Sequence, residues 1–151
     1  EEFQPELFPD YLEAGTMNVP GIAGLEAGVK FIEEVGLEKI RSHEIKLEEM
    51  MRQGLQSIPG VKILGPSSPS ERVAVISIEI GEIDSGNIGF ILEDVYGILC
   101  RTGLHCAPKA HACIGTFPRG TIRLSPGYFT TEEDISYVLK AISEIAEEAE
   151  I

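Results

Sequence analysis

Residues 101–111, RTGLHCAPKAH, gather an arginine, two histidines and a cysteine into eleven positions, interrupted by Gly103 and Pro108. Three chemistries compete for such a cluster. Zinc would want a tetrahedral set of Cys and His, and His105, Cys106, His111 and Cys113 supply the right atoms. Their spacing is awkward, because His105 and Cys106 are adjacent and no C-x-x-C or H-x₃-H pair occurs, so no metal is expected. A nucleophilic thiol needs a nearby Arg or His to favour the thiolate, and an accessible loop that lets sulfur reach its target. Gly103 and Pro108 bracket a loop of that kind around Cys106. The third possibility is burial: Cys100 and Cys113, beside apolar neighbours, read as small buried hydrophobes, and His111 as a satisfied loop histidine. Residue types alone leave Cys106 open between nucleophile and buried thiol.

The flanking pattern says what must position this loop. A short strand over 97–100 (GILC) feeds into it and a strand over 120–125 (GTIRLS) leads away, so Arg101, Cys106 and Arg123 gather at one sheet end, where loops on a rigid scaffold carry function. Upstream, Asn18 caps a helix over 19–35, with Pro20 in its first turn, Gly36 as its stop, and Ile22, Leu25, Val29 and Ile32 at helical spacing. A second helix over 37–57 carries Leu37, Ile40, Leu47, Met51 and Leu55. Strands over 61–64 and 73–80 flank the turn-rich GPSSPSER. Asp84 caps a helix over 84–96. A capping box of Thr131 and Asp134 starts the last helix, whose stripe is Ile135, Val138, Leu139, Ile142, Ile145 and Ala149. The order ααββαββα predicts an α/β (α+β) fold with a largely antiparallel sheet packed with helices. Residues 1–17 read as an extended lead-in and 18–151 as one small domain.

Composition bounds the rest. The chain has 151 residues, 43% of them hydrophobic and 25% charged, enough for one globular core. Its net charge of −13 argues against nucleic acid and anionic membranes as partners. No apolar run reaches the roughly 18–20 residues that span a bilayer, and the expectation is a soluble, cytoplasmic chain. Three cysteines, an odd number within fourteen positions, do not form a disulfide framework and are expected to be reduced. The opening Glu1-Glu2-Phe3, without methionine, suggests a piece of something longer.

RTGLHCAP followed by GTIRLSPGYFTTEEDI resembles the C-terminal part of the class V aminotransferase superfamily, in particular its cysteine desulfurase and selenocysteine lyase branch. LEAGTMNVPGIAGLEAG resembles the segment that opens that family's C-terminal half. The matches stand in the family's order over residues 12–135. The resemblance implies the small C-terminal domain of a fold-type I pyridoxal-phosphate enzyme, one that takes sulfur from L-cysteine to leave alanine and an enzyme persulfide. In that frame Cys106 resembles the persulfide-forming thiol and Arg123 the arginine that grips the substrate carboxylate. Arg101 and His105 resemble further substrate-side residues. Gly15 and Thr16 resemble the backbone and hydroxyl that reach the cofactor phosphate of a neighbouring subunit, which implies a homodimer. The family's cofactor-bearing lysine follows a histidine, and no His-Lys pair occurs here, so pyridoxal phosphate is expected in a full-length enzyme and not on this chain alone. Leu104 stands where many desulfurases carry a first histidine, which leaves the choice between sulfur and selenium substrates open. Two other readings remain: a dimerisation or sulfur-relay module in which Cys106 accepts sulfur from another protein, and a zinc-binding module.

Overall fold

The computed structural model describes Phe3 and residues 5–12 and 15–149, with the side chains of Pro69 and Ala149 outside that description. Glu13 and Ala14, within the family-like opening segment, also lie outside the described residues. The chain divides into two compact units, Glu1–Ile40 and Arg41–Ile151.

In the first unit Asp10–Leu12 close one 3-10 turn within the expected lead-in. Helix α1 follows at Val19–Val35. The Asn18 side chain accepts from the Gly21 N–H at 3.1 Å, satisfying a donor that the first helical turn leaves unpaired. Gly36, at φ 89°, ends the helix as its sequence position predicts. The stripe of Ile22, Leu25, Val29 and Ile32 is exposed along its length.

Helix α2 (Leu37–Gln56) crosses the division between the units. In the second unit β1 (Val61–Leu64), β2 (Ile76–Ile80), β3 (Arg101–Gly103) and β4 (Thr121–Leu124) form one antiparallel sheet in the order β1-β2-β4-β3. Alternation sorts each strand. Ile76, Ile78 and Ile80 of β2, with Ile122 and Leu124 of β4, enter the core beside Leu47, Met51 and Leu55 of α2. Helices α3 (Ser85–Asp94) and α5 (Glu132–Ala149) close it with Ile88, Leu92, Ile135, Ile142 and Ile145. Both predicted caps form: Asp84 accepts from the Gly86 N–H at 2.8 Å, and Thr131 and Asp134 exchange hydrogen bonds of 2.8 to 3.1 Å. Among the described residues no helix is long and apolar enough to cross a membrane.

The 65–75 connection is tied down by ions. Glu48, fully buried, meets Arg52 at 2.8 Å and Arg72 at 2.9 Å, while Arg41 donates to the Arg72 carbonyl at 2.6 Å. A carboxylate out of water is tolerable only with such partners.

Three local expectations need correction. The strand expected at 97–100 begins instead at Arg101. Gly97 is left-handed at φ 65°, and its N–H and that of Ile98 donate back to Glu93 and Leu92, so GILC serves to close α3 rather than to pair. The strand expected from 73 pairs only from Ile76, because the Val75 N–H bonds to the Val73 carbonyl at 2.6 Å in a tight turn. Finally, the segment taken for loop contains a helix, α4 (Pro108–Ile114), entered at Pro108 and ended by left-handed Gly115.

Candidate active site

The period of β4 decides where the site can be. Ile122 and Leu124 point into the core, so Arg123 must lie on the opposite face of the sheet. There it forms one row across all four strands, Leu64–Ser77–Arg123–Arg101, each residue registered against the next. Arg101 and Arg123 are therefore direct cross-strand partners. Like charges in that position repel, and the pair becomes favourable when an anion sits between the two forks. Arg101 is exposed, whereas the Arg123 Nε is buried without an acceptor among the described residues. With Leu99, Cys100 and Ser125 the two arginines bound a cavity of about 240 Å³.

A close backbone approach holds β3 on β4. Gly120, at φ 71°, lies so near Gly103 that a Cβ there would overlap the Gly103 Cα at 2.5 Å. Ser85 completes the join, accepting from the Gly103 N–H at 3.2 Å and donating to the Arg119 carbonyl at 2.7 Å.

Beyond Gly103 the chain makes an uncommon turn. His105 (φ 48°) and Cys106 (φ 59°) are the non-glycine residues with positive φ among those described, and the Ala107 N–H closes the turn on the Leu104 carbonyl at 2.8 Å. Turns with two left-handed central residues usually take Asn and Gly, and each other residue there costs about 1–2 kcal/mol. The His105 Nε2 meets the buried Thr121 hydroxyl of β4 at 3.2 Å. Burial first, then the positive charge of Arg123 and the electrostatic influence of neighbouring His111, hold the His105 imidazole below the usual histidine range, against an opposing hydrogen bond to the Thr121 backbone. That shift favours the uncharged imidazole. Cys106 itself is exposed at the tip.

The structure thus brings Arg101, Arg123 and His105 together, with Cys106 next in the chain. Gly15 and Thr16 belong to the other unit, where both are exposed and open space surrounds Gly15. Two readings of the cluster change. Cys113, expected to be buried, is exposed on α4, because the helix turns it outward. His111 is satisfied, as expected, but on a helix: its Nδ1 meets the Thr116 hydroxyl at 2.6 Å, and both residues are buried. Cys100 does pack against the core, and burial together with Glu93 pushes its thiol pKa up. Among the described residues no three His, Cys, Asp or Glu side chains converge as metal ligands. The contributions of Thr116 and Thr121 went unread in the sequence; the signal available was Pro108 and Gly115 framing one short helix that carries His111 inward.

The family model for class V aminotransferases matches residues 1–138. This chain belongs to that family. Among its relatives, a probable cysteine desulfurase of Methanothermobacter thermautotrophicus is 32% identical over 93% of this chain and 35% of the relative. A cysteine desulfurase of Serratia proteamaculans is 33% identical over 91% of this chain and 32% of the relative. The apo structure of a cysteine desulfurase from Thermococcus onnurineus superposes with a TM-score of 0.85 at 31% identity, covering 93% of this chain and 34% of that one. This class V aminotransferase chain spans about a third of the length of those relatives.

Set against the cofactor that the resemblance implies, the residues divide. Among the described residues neither a lysine nor a carboxylate bounds the arginine cavity, and its two guanidinium groups suit an anionic group rather than the aldehyde or ring nitrogen of pyridoxal phosphate. Gly15, where an added Cβ would meet none of the described residues within 4 Å, and Thr16, with its exposed hydroxyl, leave room for an approach by the phosphate end.

Proposed function

We propose that this chain is the C-terminal, sulfur-accepting part of a pyridoxal-phosphate-dependent, cysteine desulfurase-like enzyme, inactive alone and completed in a homodimer. The observation that carries the reading is the registered pair Arg101 and Arg123 on the open sheet face, next to a left-handed turn that exposes Cys106. Arg123 grips the carboxylate of L-cysteine through its planar fork, and Arg101 adds a second positive charge from β3. Cys106, as thiolate, attacks the substrate sulfur. A sulfur–sulfur bond forms while the substrate carbon–sulfur bond breaks, with its electron pair left on carbon and a proton added there. Cysteine plus thiol gives alanine plus persulfide, and no outside oxidant is needed. Bound pyridoxal phosphate would supply the electron sink that makes this cleavage feasible, while Gly15 and Thr16 would meet the phosphate of a neighbouring subunit's cofactor.

The test uses a full-length protein containing this chain. Cys106→Ala should still bind cysteine but yield neither persulfide nor alanine. Arg123→Ala removes a charge-assisted contact of about 1.5–3 kcal/mol, so roughly ten- to a hundredfold more cysteine should be needed, with lysine recovering part of the loss. Normal cysteine affinity in Arg123→Ala, or parent turnover in Cys106→Ala, removes these roles. Persulfide formation on this chain alone, given a separate sulfur donor, would favour the relay module. Comparing cysteine with selenocysteine separates desulfurase from lyase.

A further inference from the structure

A strained turn at a reactive residue persists only where its surroundings hold it, and half-buried His105 beside Cys106 leads into the buried side chains of Thr121, His111 and Thr116. The His105 imidazole is held on two sides: its Nε2 meets Thr121 at 3.2 Å, and its ring lies 5.8 Å from that of His111 at an interplanar angle of 45°. His111 is in turn fixed at its Nδ1 by Thr116 at 2.6 Å. The backbone reinforces the pair. The His111 N–H donates to the Ala107 carbonyl at 3.1 Å, and the Thr116 N–H to the His111 carbonyl at 2.9 Å. His111 and Thr116 are 5% and 1% exposed, so neither reaches solvent or a substrate directly. A buried, hydrogen-bonded imidazole whose ring faces the residue before the thiol is more than core filling, since an apolar side chain would fill the same space without the cost of burying polar nitrogens.

We propose that His111, anchored by Thr116, is a positioning residue for the Cys106 thiol: its ring holds His105 on Thr121 and so locks the left-handed turn that presents the sulfur. The proposal rests on reading Cys106 as the reactive thiol for its purpose, but not for its geometry. The charged and titratable groups facing His105 are Arg101 from β3, Arg123 from β4 and His111 from α4. None of them is removed by a change at Thr116.

Three variants separate anchor, ring and hydroxyl. Thr116→Val keeps shape and removes the hydroxyl, Thr116→Ser keeps the hydroxyl, and His111→Asn keeps a polar partner for Thr116 while removing the ring. In the chain, carbon chemical shifts of Cys106 report its backbone region and imidazole signals report the titration of His105. Thr116→Val and His111→Asn should move Cys106 out of the left-handed region, and Thr116→Val should let the His105 midpoint rise toward its ordinary value of 6.5. Thr116→Ser should leave both in place. In the full-length protein Thr116→Val and His111→Asn should lower kcat roughly ten- to a hundredfold at unchanged KM for cysteine, with Thr116→Ser near the parent, as expected when a reacting atom is misplaced and the carboxylate grip is intact. If Thr116→Val does not fold, His111→Asn carries the test. Unchanged Cys106 shifts in the folded variants, or equal losses in Thr116→Ser and Thr116→Val, overturn the proposal even if the protein is a desulfurase. Shifts that move in a full-length protein without desulfurase activity keep the positioning role and remove the function.

Discussion

Gly120 and Gly115 offer a matched pair in which backbone strain and steric overlap can be separated. Both are left-handed, at φ 71° and 79°, so alanine at either position incurs about 1–2 kcal/mol from the backbone alone. Around Gly115 an added Cβ meets nothing within 4 Å, whereas at Gly120 it falls on the backbone of Gly103, which cannot rotate away as a side chain would. Forcing a group into a packed place costs about 1–3 kcal/mol more, so Gly120→Ala should lose about 2–5 kcal/mol in all. With a urea slope of about 2 kcal/mol per molar, the midpoint should fall by about 0.5–1 M in Gly115→Ala and about 1–2.5 M in Gly120→Ala. Circular dichroism of the chain during urea unfolding measures both. The consequence reaches the site, because β3 and β4 can relieve the overlap only by separating, and their pairing is what sets Arg101 opposite Arg123. Equal midpoint losses in the two variants would refute the close-approach argument.

The thiols should report their surroundings: Cys106 and Cys113 should alkylate quickly at neutral pH, and half-buried Cys100, its pKa raised by burial and Glu93, only at more alkaline pH. Equal rates for all three at neutral pH, read by peptide mass spectrometry, would contradict this packing. His105 makes stability pH-dependent. Its folded pKa is depressed below 6.5, chiefly by burial and then by Arg123, so the unfolded chain binds the proton first and stability present above the ordinary histidine range is lost as pH falls through it. His105→Gln should flatten that slope in a series of urea melts, and a slope equal to the parent's would show that His105 is not its source.

Much of this fold was legible because local and global preferences agree. Asn18, Asp84 and the Thr131–Asp134 box act where their side chains can reach free N–H groups, and the alternation in β2 and β4 matches a sheet with one buried face. The mismatches share a cause. Gly97 and Pro108 read as punctuation between elements, yet one closes α3 and the other opens α4, and the difference depends on backbone hydrogen bonds that residue type does not specify. Arg101 and Arg123 were placed at one sheet end by the order of the strands. Their exact opposition was not readable, because register depends on Gly120 meeting Gly103, a contact between residues seventeen apart. His111 drew attention as a residue type, but its pairing with Thr116 needs the helix that the sequence pattern hid.

The guanidinium row also ties heredity to packing. Since successive strand residues face opposite ways, inserting or deleting one residue within β4 would carry Arg123 into the core and bring Ile122 or Leu124 out to water. A lineage cannot drift gradually from one arrangement to the other, because the intermediate length lacks both the core and the anion grip. Length changes are therefore expected to gather in the connections, such as 65–75, and to spare the four short strands. Cleft and core form a single heritable unit, in which a frame error is removed by selection on stability before it is ever tested for activity.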